Sequence, residues 1–368
     1  MRVTTATTTR WLAGLALALC FGGVAAAQEK VVRVYNWSDY IDPAILEEFT
    51  AKTGIKVIYD VYDSNDILEA KLLAGSSGYD IVVPSAFSMA RLLQAGILGP
   101  LDKAKIPNAA NLDPALMERV AKFDPGNAHG VIWMWGTTAF AYNVEKLKER
   151  MPDAPLDSWR MLLDPTIVAK FADCGVYMLD TADEGIPTAL HYLGLDPNST
   201  AQADLAKAEE VLLKVRPYIR KFHSSENINA LASGDICMAQ IFSGDAGIAA
   251  TRAEEANNGV NIEYVIPKEG AQIWFDLMVM PKDAPDPDNA HAFINYVLQP
   301  EVIARATNFV TYPNAVPASK QYVDQELVED PNVYPPDEVL GRLYVKETYP
   351  PRVQSQVTRV WQRVQTGG

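Results

Sequence analysis

The first hundred residues alternate strand and helix signals, and no other feature of the sequence restricts the fold as much. "VVRVYNW" from Val31 reads as a strand, and "DPAILEEFTAKTG" as a helix in which Asp42 caps, Pro43 fits the first turn and Gly54 ends the run. "IKVIYDVY" is a second strand, and "NDILEAKLLAG" a helix with Asn65 as its cap. "YDIVVPS" is a third strand that stops at Pro84, and "SMARLLQAGIL" a third helix. A βαβαβα order requires a parallel sheet with right-handed crossovers. Ligands of such sheets bind beyond the C-terminal ends of the strands. Two loops leave on that rim: "NWSDY", Asn36 to Tyr40, and "PSAF", Pro84 to Phe87.

The rest of the chain fits a second lobe joined to the first by extended crossings. "GVIWMWGTTAFAYN", Gly130 to Asn143, is long and unbroken and reads as the outward crossing. Helical patterns follow in "LDSWRMLLDP", "GIPTALHYLGL" and "ADLAKAEEVLLKVRPYIRKF", the last broken near Pro217. "ENINALASGDICMAQIFSGDAGIA" reads as helix, turn and strand, with a Gly-rich strand end at Ser243 to Asp245. "VNIEYVIPKEGAQIWFDLMVMPKDA" is the return crossing. The expected division is residues 28–135 plus about 266–310 in lobe 1, and 136–265 plus about 311–368 in lobe 2.

Arg2 and Arg10 precede the apolar run Trp11 to Ala27, which ends in three alanines. This is the pattern of a secretory leader cleaved after Ala27. The 341 residues that follow are long for one core and suit two lobes. The leader carries two of the 32 basic residues and none of the 46 acidic ones, which leaves a net charge of −16. That balance argues against nucleic acid and permits a cationic ligand. Two of the three cysteines follow the leader, Cys174 and Cys237. In an exported chain an even pair reads as a disulfide, set against two buried free thiols.

Motifs for catalysis are missing from the sequence. The four histidines lie in no HExxH, and no GxSxG elbow, phosphate loop or dinucleotide fingerprint follows a strand. Two cysteines do not make a structural zinc site. Neither a cofactor nor a metal is expected, and the chain does not read as an enzyme. Acids and aromatics do recur together at strand and turn ends, in Trp37, Ser38, Asp39, Tyr40, Ser85, Asp245, Trp274, Asp276 and Tyr312. A diamine or triamine calls for that combination: carboxylates hold each ammonium, and ring faces cover the methylenes. A sugar site would also use Trp and Asp, and a secreted hydrolase could draw on the many carboxylates.

Several stretches in order, "YDIVVPSA", "LHYLGLDPNS", "RPYIRKFHSSENINALASGDICMA" and "GVNIEYVIPKEGA", resemble the periplasmic polyamine-binding proteins of bacterial ABC importers, the putrescine-binding type above all. The resemblance implies an α/β, type II-like clamp of two lobes with two crossing segments and a ligand cleft between them. It implies capture of putrescine or spermidine, delivery to an inner-membrane ABC permease, and action as a monomer. It assigns Trp37, Ser38, Asp39 and Tyr40 to a first binding loop and Ser85 to a second. It adds Glu184 as an acidic contact and Ser224 as a polar one. Asp245 and Asp276 become the acids that hold the amines, and Tyr312 an aromatic near the pocket. The sequence departs from the putrescine-binding type at Phe242, where Trp is common, at Trp274, where Phe is common, and at Phe87, where the residue is small. Those departures leave putrescine and spermidine both open.

Overall fold

The structure is a computed structural model that describes residues 1–2 and 29–368, so the leader expected over 1–27, beyond its first two residues, lies outside the described residues. The opening alternation folds as β1 (Val31–Trp37), α1 (Pro43–Thr53), β2 (Lys56–Tyr62), α2 (Asn65–Leu73), β3 (Ile81–Val82) and α3 (Ala86–Gln94). Asp42 caps α1 by accepting the Ala44 N–H, and Gly54, at φ 70°, closes its last turn. Glycine takes that left-handed conformation without a Cβ clash. The cap of α2 is Ser64, which accepts the Ile67 N–H, and not Asn65 one residue later. Asn65 instead exchanges hydrogen bonds with Ser85, donating to its Oγ and accepting its N–H. Both β2 and β3 pair parallel to β1, so the loops after all three strands leave on one edge.

The outward crossing is β4 (Gly130–Asn143), buried along its whole length. Then come β5 (Val176–Met178), α4 (Ala182–Tyr192), α5 (Gln202–Val215), β6 (Met238–Phe242) and α6 (Ser243–Glu255). The return crossing is β7 (Gln272–Pro281), followed by α7 (Pro287–Val297), α8 (Pro300–Val310), β8 (Tyr344–Val345) and α9 (Pro351–Thr366). One sheet runs in the order β2-β1-β3-β7-β4-β6-β5, with the two crossing strands antiparallel at its middle.

Two large cores lie on either side of those crossings. One draws its buried side chains from residues 32–135 and 273–316, the other from 139–271 and 349–364. The tail therefore divides differently from the expectation that 311–368 belongs to lobe 2. Tyr312, Ala315 and Val316 pack in the first core, Leu343 packs against both, and the fully buried side chains of the tail enter the second from Tyr349. Local hydrogen bonding explains this: the Trp135 N–H donates to the Pro313 carbonyl, which ties the segment after α8 to β4. Cys174 and Cys237 form a disulfide, with a Cα–Cα distance of 5.4 Å. They stand just before the neighbouring parallel strands β5 and β6.

Candidate functional site

The loops that leave the strand ends on the two sides of the sheet face one another across a cleft. Eleven of the twelve binding residues expected from sequence line it: Trp37, Ser38, Tyr40, Ser85, Glu184, Ser224, Phe242, Asp245, Trp274, Asp276 and Tyr312. Asp39 does not. It sits at φ 53°, half exposed, and pairs with Arg252 of α6 at 3.0 Å. The turn that carries Ser38 and Tyr40 into the cleft thus aims Asp39 at the opposite lobe.

Side chains alternate along a strand, so β7 presents Gln272, Trp274 and Asp276 on one face. The pairing with β4 slips by one residue between Asp276 and Leu277, which leaves Trp133 of β4 without a partner. Asp276 stays paired with Met134 of β4 and, on its other edge, also bridges to Ser85. Its carboxylate accepts the Ser85 hydroxyl at 2.7 Å and the Tyr40 hydroxyl at 3.0 Å. Burial pushes the Asp276 carboxyl up to about 7, against the lowering effect of those two hydroxyls.

Glu184, in the first turn of α4, accepts the Gln272 amide at 2.8 Å, and its other oxygen has no hydrogen-bond partner. Burial raises it to about 8. Asp245 was expected at a strand end but lies in the first turn of α6, which starts directly after β6. Its carboxylate accepts the Tyr312 hydroxyl at 2.7 Å, and its N–H donates back to that hydroxyl. Burial pushes its carboxyl up to about 7, against the lowering effect of the Tyr312 hydroxyl. Among the described residues, no Lys or Arg lies within ion-pair distance of Glu184, Asp245 or Asp276. Three carboxylates thus face one cleft with hydroxyls and amides as their only close partners.

Aromatic rings form the remaining wall. Tyr40 meets Tyr312 edge-on at 5.3 Å, Tyr312 meets Trp274 at 5.3 Å, and Trp274 meets Phe242 at 5.8 Å. Phe242 and Trp274, the two positions expected to depart from the putrescine-binding type, therefore touch. Gly136 of β4 makes room for the Trp274 ring, since a Cβ there would stand 2.7 Å from it. Trp37 donates its indole N–H to the Val83 carbonyl and packs on Tyr62, so it holds the rim as well as lining it. The Ser224 hydroxyl accepts the Asp180 N–H.

Sequence reasoning missed the contribution of the loop after β2. Asp63, Ser64 and Asn65 line the cleft, and Asp63 accepts the Ser38 hydroxyl at 2.8 Å. The strand-end rule that located the loops after β1 and β3 applies equally to "YDSN" after β2 and would have found them. Asp183, beside Glu184, was also missed.

A family model described as bacterial extracellular solute-binding protein matches residues 44–335. The chain is 47% identical to the putrescine-binding periplasmic protein PotF of Escherichia coli K12, over 99% of its own length and 100% of the relative's. It is 48% identical to the putrescine-binding periplasmic protein SpuD of Pseudomonas aeruginosa, over 97% and 98%. Among solved structures it matches a putative spermidine/putrescine ABC transporter protein from Listeria monocytogenes with a TM-score of 0.82 at 33% identity, covering 91% of this chain and 99% of that one.

Proposed function

The chain belongs to the bacterial extracellular solute-binding proteins, and from that premise we propose that its cleft captures a polyamine, putrescine or spermidine, for an ABC importer. The fold is the two-lobed clamp of that family, and the role is binding for transport rather than catalysis. The observation that carries the ligand class is the set of carboxylates at Glu184, Asp245 and Asp276, each without a cation partner and each raised to about 7 or 8. Buried carboxylates cost free energy unless a charge compensates them. A ligand with two or more ammonium groups supplies that charge, and the rings of Tyr40, Tyr312, Trp274 and Phe242 cover the methylenes between.

The lobes meet across the cleft through Asp39–Arg252 and through Arg91–Asp183 at 3.4 Å. A ligand that touches both sides binds this closed arrangement better than an open one and shifts the population towards it. The closed clamp then docks on an inner-membrane permease. In this reading the chain acts as a periplasmic monomer whose leader is removed after Ala27, and the expected binding residues, Asp39 apart, serve as ligand contacts. Asp39 serves as a closing contact.

Thermal melting with putrescine, spermidine, glucose, maltose and an aryl glycoside tests the ligand class. Only the two amines should raise the midpoint, since binding to the native state alone stabilises it. A shift with a sugar and none with either amine would overturn the reading.

A further inference from the structure

We propose that Lys346 closes the Asp183 end of the cleft to any further ammonium group and so tunes this site towards diamines. The inference rests on the polyamine reading above and names the determinant that chooses among polyamines. Lys346 follows β8, which pairs with the start of β7. Its side chain is 1% exposed, an unusual state for a lysine. The ammonium lies 3.5 Å from the centre of the Tyr349 ring and donates to the Glu347 carbonyl. It also lies 5.8 Å from the centre of the Phe87 ring and 3.9 Å from Asp183 Oδ1. Phe87 and Asp183 are cleft-lining residues, one from each side, so Lys346 stands directly behind that part of the wall.

A second cation reinforces it. Arg91 places its guanidinium 5.1 Å from the same Phe87 ring and 3.4 Å from Asp183 Oδ2, while Glu69 takes its fork at 2.6 Å. Asp183 therefore has Arg91 in hydrogen-bond reach of Oδ2 and Lys346 within 3.9 Å of Oδ1, which accepts no hydrogen bond, whereas among the described residues Glu184, Asp245 and Asp276 have no cation within that distance. Asp66, another acid near this cluster, is exposed and outside the cleft lining. An ammonium brought to this end would lose its water, find Asp183 already shared with Arg91, and face the Lys346 ammonium behind the Phe87 ring. Rejection by unpaired like charge is a common source of specificity. Burial lowers the Lys346 ammonium to about 8, which still leaves most of it charged at neutral pH.

Calorimetry on the mature protein at fixed salt and pH 7 tests this with three ligands: putrescine, spermidine and N-butylputrescine. The third has the length of spermidine with a methyl group in place of the terminal ammonium, so it separates charge from bulk. Putrescine should bind at least tenfold tighter than spermidine, and N-butylputrescine should bind tighter than spermidine. In Lys346→Met the putrescine-to-spermidine affinity ratio should fall at least tenfold. Spermidine binding as tightly as putrescine to the unaltered protein would overturn the proposal. So would N-butylputrescine binding no better than spermidine, which would assign the selection to the bulk of Phe87, or an unchanged ratio in a folded Lys346→Met. If the variant does not fold, the three-ligand series on the unaltered protein decides. Failure of putrescine itself to bind would instead sink the polyamine reading.

Discussion

At the scale of single residues, the account rests on carboxylates that are poorly compensated until a cation arrives. Asp276→Asn keeps the size and removes the charge. Truncating a buried charge pair costs about 2–5 kcal/mol, or roughly 30-fold to several thousand-fold in affinity. Calorimetry should show a loss of putrescine affinity of at least tenfold, with no fall in the ligand-free melting midpoint at pH 7, because the variant no longer buries a charge. A loss below about threefold, under ~0.7 kcal/mol, would remove Asp276 from the site. The same chemistry sets a pH dependence. Glu184, Asp245 and Asp276 keep their protons in the ligand-free fold up to about 7 or 8, whereas the unfolded chain loses them near 4. The folded state thus binds more protons across that interval, and these groups make the ligand-free protein lose stability as pH rises through it. An ammonium favours the ionised carboxylates, so binding expels protons and affinity should rise at least tenfold between pH 5.5 and 7.5. A flat profile would contradict the raised carboxyls. Trp37, Ser85 and Asp276 were legible in the sequence because each interrupts or ends an apolar run. Asp39 was not separable from its neighbours, since nothing in "NWSDY" tells which side chains a left-handed turn will aim inward.

Among the elements, the alternation of β1 to α3 was legible because apolar periodicity, Pro43 and Gly54 all agree on the same boundaries. The start of α6 was not. "FSGDAG" offers two glycines, and Phe242 at the cap position makes no side-chain hydrogen bond, so the residues lack an N-terminal helix signature. Tertiary contact supplies the missing signal, since a Cβ at Gly244 would collide with the Tyr312 ring at 2.4 Å. The disulfide was legible from the leader and the count of cysteines. It closes a loop of 63 residues, worth about 4 kcal/mol in the chain-entropy model. Replacing both cysteines by alanine should lower the urea unfolding free energy by about 2–4 kcal/mol while leaving putrescine affinity within about threefold, ~0.7 kcal/mol. The bond lies among the strands of the second core and none of the cleft-lining residues is a cysteine. A large loss of affinity in a folded double variant would show that the strand ends depend on the cross-link.

For the whole molecule, two crossings were legible as long extended runs, but the tail was not. Residues 312–316 return to the first core and β8 adds a further short strand beside β7, because short segments tied by backbone hydrogen bonds leave little periodicity to read. The clamp that results brings acids from both sides into one cleft: Asp276 on the return crossing, Glu184 and Asp245 on helices of the second side. The central claim is that this cleft is built for two separated positive charges. Its most direct test is calorimetric titration of the mature protein with putrescine and with n-butylamine, which keeps the four-carbon chain and one ammonium. Losing one buried ammonium–carboxylate pair forfeits about 2–5 kcal/mol. Putrescine should therefore bind at least thirtyfold tighter than n-butylamine, with net proton release at pH 7. Equal affinity for the two amines, or binding of neither, would contradict the account.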